Sequence, residues 1–528
     1  MAAPASKSSY DALIIGAGHN GLVCAAYLAR AGRRVLVLEA AAMVGGAAVT
    51  REFAPGFQVS ACAHLLHQMP QSLVRELALE QHGLAFSARQ LPTLALAHDR
   101  DPLLLGGASD SLHQGLLGAD VAAYPAYLKE MARYAAAIAP IFSRAPPRLG
   151  TGSFADQAAL LRVGWQIRKL GRKSMRELLR IGGMNAYDLL LEHFTDPLLQ
   201  GALGFDAVLG TNFGPRSPGS VLTLLCRLAA QSDAGEGALM QPRGGLGALS
   251  SALARAAAAA GAEIRTNAAV ARILVSDDQA SGVELLTGQQ FSAPAVISSA
   301  DPKSTFLKLL GTQHLDTGFV RRVHHLRSQG LAAKLHLALK GVPDFRGASA
   351  AALRGRLLLS PSLQHLERAF NSTKYGEYST APVMEITLPT LNDPALAPPG
   401  SHVLSAIVQY VPHTLKAGWA ASREQCIASL IAALAEYAPN LPGLIQSAEL
   451  LTPADIEQQF RMHGGHWHHG ELSFDQFYMV RPVPGAAQYA TPVAGLFLCG
   501  AGSHPGGGVM GHAGRNAARS VLASRKAA

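Results

Sequence analysis

The sequence predicts an α/β protein built around a dinucleotide-binding unit, and three observations predict it. A short apolar run, Asp11–Ile15, leads straight into Gly16, Gly18 and Gly21 and then into an Ala- and Leu-rich helix. A second apolar run, Arg34–Glu39, follows and ends on an acid. Far along the chain, Gly495–Gly500 reads as another buried strand, passes through more glycines and opens a last helix near His512.

Each element has a physical reason. Gly16 permits the tight turn after the first strand, and Gly18 lets backbone approach a pyrophosphate. Gly21 lets the helix pack close to the strand, while the helix start offers free N–H groups to phosphate. Glu39 closes the second strand, where a carboxylate can accept both ribose hydroxyls of an adenosine. A lone glycine motif is weak, but here strand, glycines, helix, second strand and acid fall in order within one βαβ length. Two further features favour FAD over a nicotinamide. Gly45 and Gly46 form a second glycine pair able to lie against the same pyrophosphate. The C-terminal glycines Gly500, Gly502 and Gly506–Gly508 lead into a helix whose N-terminus would stabilise negative charge on a reduced flavin ring. A third cluster, Gly244, Gly245 and Gly247, does not follow a predicted strand; Pro242 and the polar stretch 232–237 precede it. It reads as a helix-opening turn, leaving no second nucleotide unit and no NAD(P)H site.

At 528 residues the chain is too long for one core, and 49% hydrophobic against 15% charged residues argues for extensive burial over disorder. The net charge of +9 suits an anionic membrane surface or an acidic substrate. No basic stripe interleaved with aromatics and no zinc-finger spacing points to nucleic acid. The five cysteines form no CxxC, so a reducing compartment is expected and no disulfide framework. The run Ala12–Ala29 is explained by its glycines as a folded element, not a signal peptide, and no stretch reads as a membrane span.

The stretches Gly16–Glu39, Gly45–Thr50 and Cys499–Asn516 resemble the phytoene desaturase-like branch of the FAD-dependent amine oxidase superfamily. Within it the resemblance is closest to the pyridine nucleotide-disulfide oxidoreductase domain-containing protein 2 family. Ser60–Leu66, Ala397–Leu404 and His469–Gln476 extend it over nearly the whole chain. Amine oxidase relatives carry an arginine where this chain has Ala47 and an acid where it has Ser503; both departures fit the desaturase-like branch. The family name suggests a redox disulfide, for which this sequence has no paired cysteines.

The resemblance implies a discontinuous Rossmann-like FAD-binding domain (1–90, 238–303 and 488–528) with an inserted α+β substrate domain (91–237 and 304–487). The residues agree: 262–267, 270–275 and 295–300 read as strands of the cofactor part. In the substrate part, 334–339, 384–388 and 403–410 alternate as strands should, and 120–235 reads as mainly helical. The expected cofactor contacts are Gly16, Gly18, Gly21, Glu39, Gly45, Gly46, Val270, Gly500, Gly502, Val509 and Met510. The resemblance further implies an FAD-dependent oxidoreductase taking hydride from an apolar, lipid- or polyene-like small molecule and passing electrons to a quinone or oxygen. The alternatives are a redox-neutral flavin isomerase, an amine oxidase, and a low-turnover flavin-bearing interaction or regulatory protein.

Because a flavin carries the redox chemistry itself, side-chain catalysis is optional. The candidates are His469, with Glu471 and Asp475 beside it, and His504. The cluster His463, His466, His468 and His469 lacks a metal-ligand spacing and is expected to line the substrate cavity, with no metal. His64 and His67 are expected to pack near the cofactor entrance. Between Arg162 and Arg180 lies a helical stretch with Arg162, Arg168, Lys169, Arg172, Lys173, Arg176 and Arg180 interleaved with Trp165, Ile167, Leu170, Met175 and Leu178. It reads as a solvated helix with an apolar inner face, or else as a peripheral membrane contact. The composition suits a bacterial, cytoplasmic protein, or a mitochondrial one if eukaryotic.

Overall fold

The computed structural model describes residues 10–106, 113–148, 150, 153–234 and 239–524, with the side chains of 231–234 excepted. The outer ends of the expected cofactor domain and residues 235–237 of the polar stretch 232–237 lie outside the described residues.

A five-stranded, wholly parallel sheet runs in the order Glu263–Arg265, Val35–Leu38, Ala12–Ile15, Val296–Ser298 and Leu496–Leu498. Apart from the edge strand Glu263–Arg265, its strands are short and almost continuously apolar because both faces are covered. Ala12 and Ile14 pack on one side against His19–Arg30, Leu246–Ala259 and His512–Ser524. Leu13 and Ile15 pack on the other against the antiparallel strands Val270–Ser276, Gln279–Leu285 and Gln290–Ser292.

The second large sheet has eight strands, centred on Ala332–Leu339, His402–Gln409, Val383–Thr387 and Arg356–Leu359. All pairings are antiparallel except Arg356–Leu359 with Thr93–Ala95. The alternation read in the sequence is present, but it does not separate core from solvent. Leu335, Leu337, Met384 and Ile386 pack beneath the helix Trp419–Tyr437. The opposite face carries Lys334, His336, Glu385, Thr387 and Ser405, and these are buried as well.

The helices Asp120–Ile138, Phe154–Arg168, Gly171–Gly182, Ala186–His193, Pro197–Val208 and Ser220–Ala234 make up the helical layer. The basic stretch is therefore not one helix. Gly171, at φ 80°, starts a second helix after a break at Lys169 and Leu170, because that left-handed conformation suits glycine. No described helix is long and apolar enough to cross a membrane. The cluster Gly244–Gly247 does follow a strand, the two-residue Gln241–Pro242, and opens the helix Leu246–Ala259 as a turn.

Candidate active site

The glycine loop borders a cavity of about 1490 Å³. Gly16, Gly18, Glu39, Gly45, Gly46 and Val270 line it together. Gly18 bridges to Gly45, and the Gly45 N–H donates to the Ala17 carbonyl at 2.8 Å, so the second glycine pair clamps onto the first loop. A Cβ on Gly46 would stand 3.4 Å from the Gly18 Cα, inside this cradle. Glu39 accepts the Ala17 N–H at 2.6 Å and the Ala41 N–H at 2.9 Å, which fixes its carboxylate at the cavity wall.

The other expected contacts divide by role. Gly21 does not line the cavity; a Cβ there would come 2.2 Å from the Gly16 oxygen, so it provides close helix–loop packing. Gly500 and Gly502 hold their loop against 299–302, where a Cβ would meet the Ser299 oxygen at 2.4 Å or the Pro302 ring at 2.5 Å. Ala501, between them, lines the cavity. Val509 and Met510 line a second cavity of about 1160 Å³. His19, Ala47 and Trp467 line both, so the two cavities adjoin.

His469 and His504 are not brought together. His469 lines the first cavity with its Nδ1 unpartnered, and burial pushes its pKa down to about 4. His504 lines neither; its Nε2 donates to the Ile141 carbonyl at 2.9 Å, and burial likewise takes it to about 4. Its place is behind the loop Pro505–Met510 that forms the second cavity's wall. Glu471 is buried, accepting the Asn212 N–H, and Asp475 is exposed on Arg327; neither reaches a cavity. The histidine loop runs between the cavities: His463 and His469 face the first, His468 the second. No group of three His, Cys, Asp or Glu among the described residues is arranged to hold a metal. Cys24 and Cys499, distant in sequence, meet as buried free thiols.

The sequence reading missed a buried charge network on the polar face of the eight-stranded sheet. Lys334 Nζ lies 2.7 Å from His64 Nδ1, and His64 Nε2 lies 2.9 Å from Glu385. Arg356 joins Glu385 to Asp206, and Arg227 Nε stands 3.3 Å from Asp206. With Lys334 donating to Nδ1, the ring proton of His64 belongs on Nε2, donated to Glu385. Burial, with Lys334, lowers His64 to about 4, so it is a neutral connector. Burial alone would raise Glu385, but Arg356 and His64 hold it well below the ordinary carboxylate range. His64, Glu385, Asp206 and Arg227 line the second cavity, which is otherwise largely apolar. The available signal was a charged residue inside each of two apolar runs, at Lys334 and Glu385.

The family profile for flavin containing amine oxidoreductases matches residues 21–522. The chain is 37% identical to the Mus musculus pyridine nucleotide-disulfide oxidoreductase domain-containing protein 2, over 98% of this chain and 94% of that one. It is 28% identical to a limonene dehydrogenase component of Castellaniella defragrans, over 97% and 94%. A phytoene desaturase of Pseudescherichia vulneris is 27% identical over 98% and 97%. A solved putrescine oxidase with a redesigned cofactor site shares the fold, with a TM-score of 0.62 at 18% identity over 98% and 99%.

Proposed function

The chain belongs to the family of flavin-containing amine oxidoreductases, and from that premise we propose that it is a dehydrogenase acting on a C–H bond of a largely apolar substrate held in the second cavity. It is an FAD-dependent oxidoreductase. The glycine cradle and Glu39 fit the pyrophosphate and ribose of FAD. FAD, when bound, takes up the electrons of the oxidation.

The observation that carries the reading is the adjoining pair of cavities, one glycine-lined and one mostly apolar, joined at His19, Ala47 and Trp467. Limonene dehydrogenase and phytoene desaturase among the relatives support an apolar substrate. The chain's own task there is to hold that substrate and exclude water, and the buried histidines help by staying neutral. His19 is lowered to about 4 and His67 and His468 well below their ordinary value, each mainly by burial. Of the charged groups on the second cavity's wall, Arg227 would repel an amine's cation and the carboxylates Asp206 and Glu385 are both paired with Arg356, which is why the dehydrogenase reading is preferred to an amine oxidase.

We read a quinone or oxygen as the electron acceptor, and the exposed basic helices as a peripheral contact with an anionic membrane. The cofactor domain is taken to be 1–90, 238–303 and 488–528, supported by the parallel sheet's strands. The test is anaerobic mixing of the yellow protein with terpenes, polyenes and long-chain alkenes, alongside putrescine and cyclohexylamine. An apolar compound should bleach the flavin band. Bleaching by the amines alone would overturn the proposal.

A further inference from the structure

The helix Ser220–Ala234 turns Thr223, Cys226 and Arg227 toward the second cavity, as residues at i, i+3 and i+4 must. Arg227, half-buried beside the cavity, is only partly paired. Its Nε stands 3.3 Å from Asp206, but both Asp206 oxygens are already engaged by the two Nη groups of Arg356. Each oxygen of Glu385 likewise already accepts one bond, from His64 and from Arg356 Nε. Neither Nη of Arg227 has a hydrogen-bond partner among the described residues. Arg356 thus takes the direct hydrogen bonds of both carboxylates, leaving Arg227 the less satisfied of the two guanidiniums beside the cavity.

Two more polar groups on the same cavity wall are also unsatisfied. Thr223 is 5% exposed with its hydroxyl unpartnered, and both ring nitrogens of His67 are buried without a partner. Buried donors of this kind are costly unless something accepts from them. Burial draws Arg227 below its ordinary value despite Asp206 beside it, as expected for an under-compensated cation. Phe142, Leu209, Leu472 and Met510 supply apolar wall in the same cavity.

We propose that Arg227, with Thr223 and His67, binds a carboxylate carried by the substrate, which is therefore an amphipathic acid and not a neutral hydrocarbon or an amine. The guanidinium fork matches a carboxylate with two parallel N–H···O bonds, while Thr223 and His67 each add one donor. The hydrocarbon part then lies along the apolar lining. This inference rests on the second cavity being the substrate site.

The test titrates decanoate, decan-1-ol and decylamine calorimetrically into the FAD-loaded protein. Decanoate should bind about tenfold or more tightly than decan-1-ol, and decylamine weakest. Arg227→Gln should bring decanoate to the level of the alcohol, Arg227→Lys should keep part of the preference, and Thr223→Val should weaken decanoate alone. Equal binding of acid and alcohol by the wild type, preference for the amine, binding of none of the three, or an unchanged preference in Arg227→Gln would each overturn the proposal. The wild-type comparison stands even if a variant fails to fold. Flavin bleaching is scored separately, so binding selectivity without any redox turnover would sink the dehydrogenase reading while leaving the carboxylate site in place.

Discussion

Lys334 occupies the strand Ala332–Leu339 with no exposed atom to solvate its charge, and a neutral imidazole is its close neighbour. Burial draws its pKa from 10.5 down to about 7, with Glu385 and Cys62 opposing. The sign of the consequence follows from proton counting. Between pH 7 and 10.5 the unfolded chain keeps the proton that the folded chain has lost, so stability rises with pH across that window. Below pH 7 both states are protonated and the folded chain bears the full cost of the buried charge. Lys334→Met removes the group at similar volume. Urea midpoints taken from pH 6.5 to 10.5 should show wild type gaining on the variant by on the order of 4 kcal/mol. A pH-independent difference would mean that Lys334 keeps its charge when folded. Residues of this kind were hard to read from sequence for a definite reason. Gly16, Gly18 and Glu39 act within one local unit, and their roles follow from spacing. Lys334, His64, Glu385, Arg356 and Asp206 acquire meaning only when distant strands and helices bring them together.

Elements whose neighbours lie close in sequence were legible, and those whose surroundings are tertiary were not. The first βαβ unit and the strand Leu496–Leu498 with its following helix fell where apolar runs and glycines placed them. The alternation in Ala332–Leu339 and Val383–Thr387 was visible, but the polar side was not recognisable as a cavity wall, because alternation reports two faces and not what covers them. The basic segment was misread as continuous, since a single glycine at positive φ divides it. The division matters for membrane contact. Phe154–Arg168 has no fully buried residue, and Phe154, Leu161 and Trp165 stand exposed on it. Arg162, Arg168, Lys169, Arg172, Lys173 and Arg176 are exposed along the two helices, while Arg180 is paired to Glu177 and Glu192. Such a surface should bind vesicles containing phosphatidylserine and release them as salt rises, because screening shortens each charge's reach to about 8 Å at physiological ionic strength. Replacing Arg168, Lys169, Arg172 and Lys173 with Glu should abolish co-sedimentation, and replacing Leu161 and Trp165 with Ser should weaken it. Equal sedimentation of wild type and charge-reversed protein would return these helices to an ordinary solvated surface.

At the scale of the whole molecule, the path of electrons follows from how many nucleotide sites the fold builds. The glycine loop of the parallel sheet opens onto a cavity of cofactor size. The other glycine cluster that invited comparison, Gly244–Gly247, is closed against the strand Thr50–Ala54. A Cβ on Gly247 would meet the Thr50 nitrogen at 2.6 Å, and the Gly247 N–H already donates to the Thr50 hydroxyl at 3.0 Å. A pyrophosphate has no room there, whatever the glycine spacing suggests. The remaining large sheet is mainly antiparallel and lacks the βαβ crossover that presents a helix start to phosphate. Reducing equivalents should therefore enter from the organic substrate, whose C–H bond has to come within roughly 3–3.5 Å of the flavin. A nicotinamide can still reach the flavin by chance collision, so the discriminating quantity is rate and its saturation. In anaerobic stopped flow, NADPH should reduce the flavin orders of magnitude more slowly than the substrate, with a rate that climbs linearly with NADPH concentration. Fast reduction that saturates would require a nicotinamide site in the second cavity itself, and would turn the assignment toward a reductase or an isomerase primed by reduced flavin.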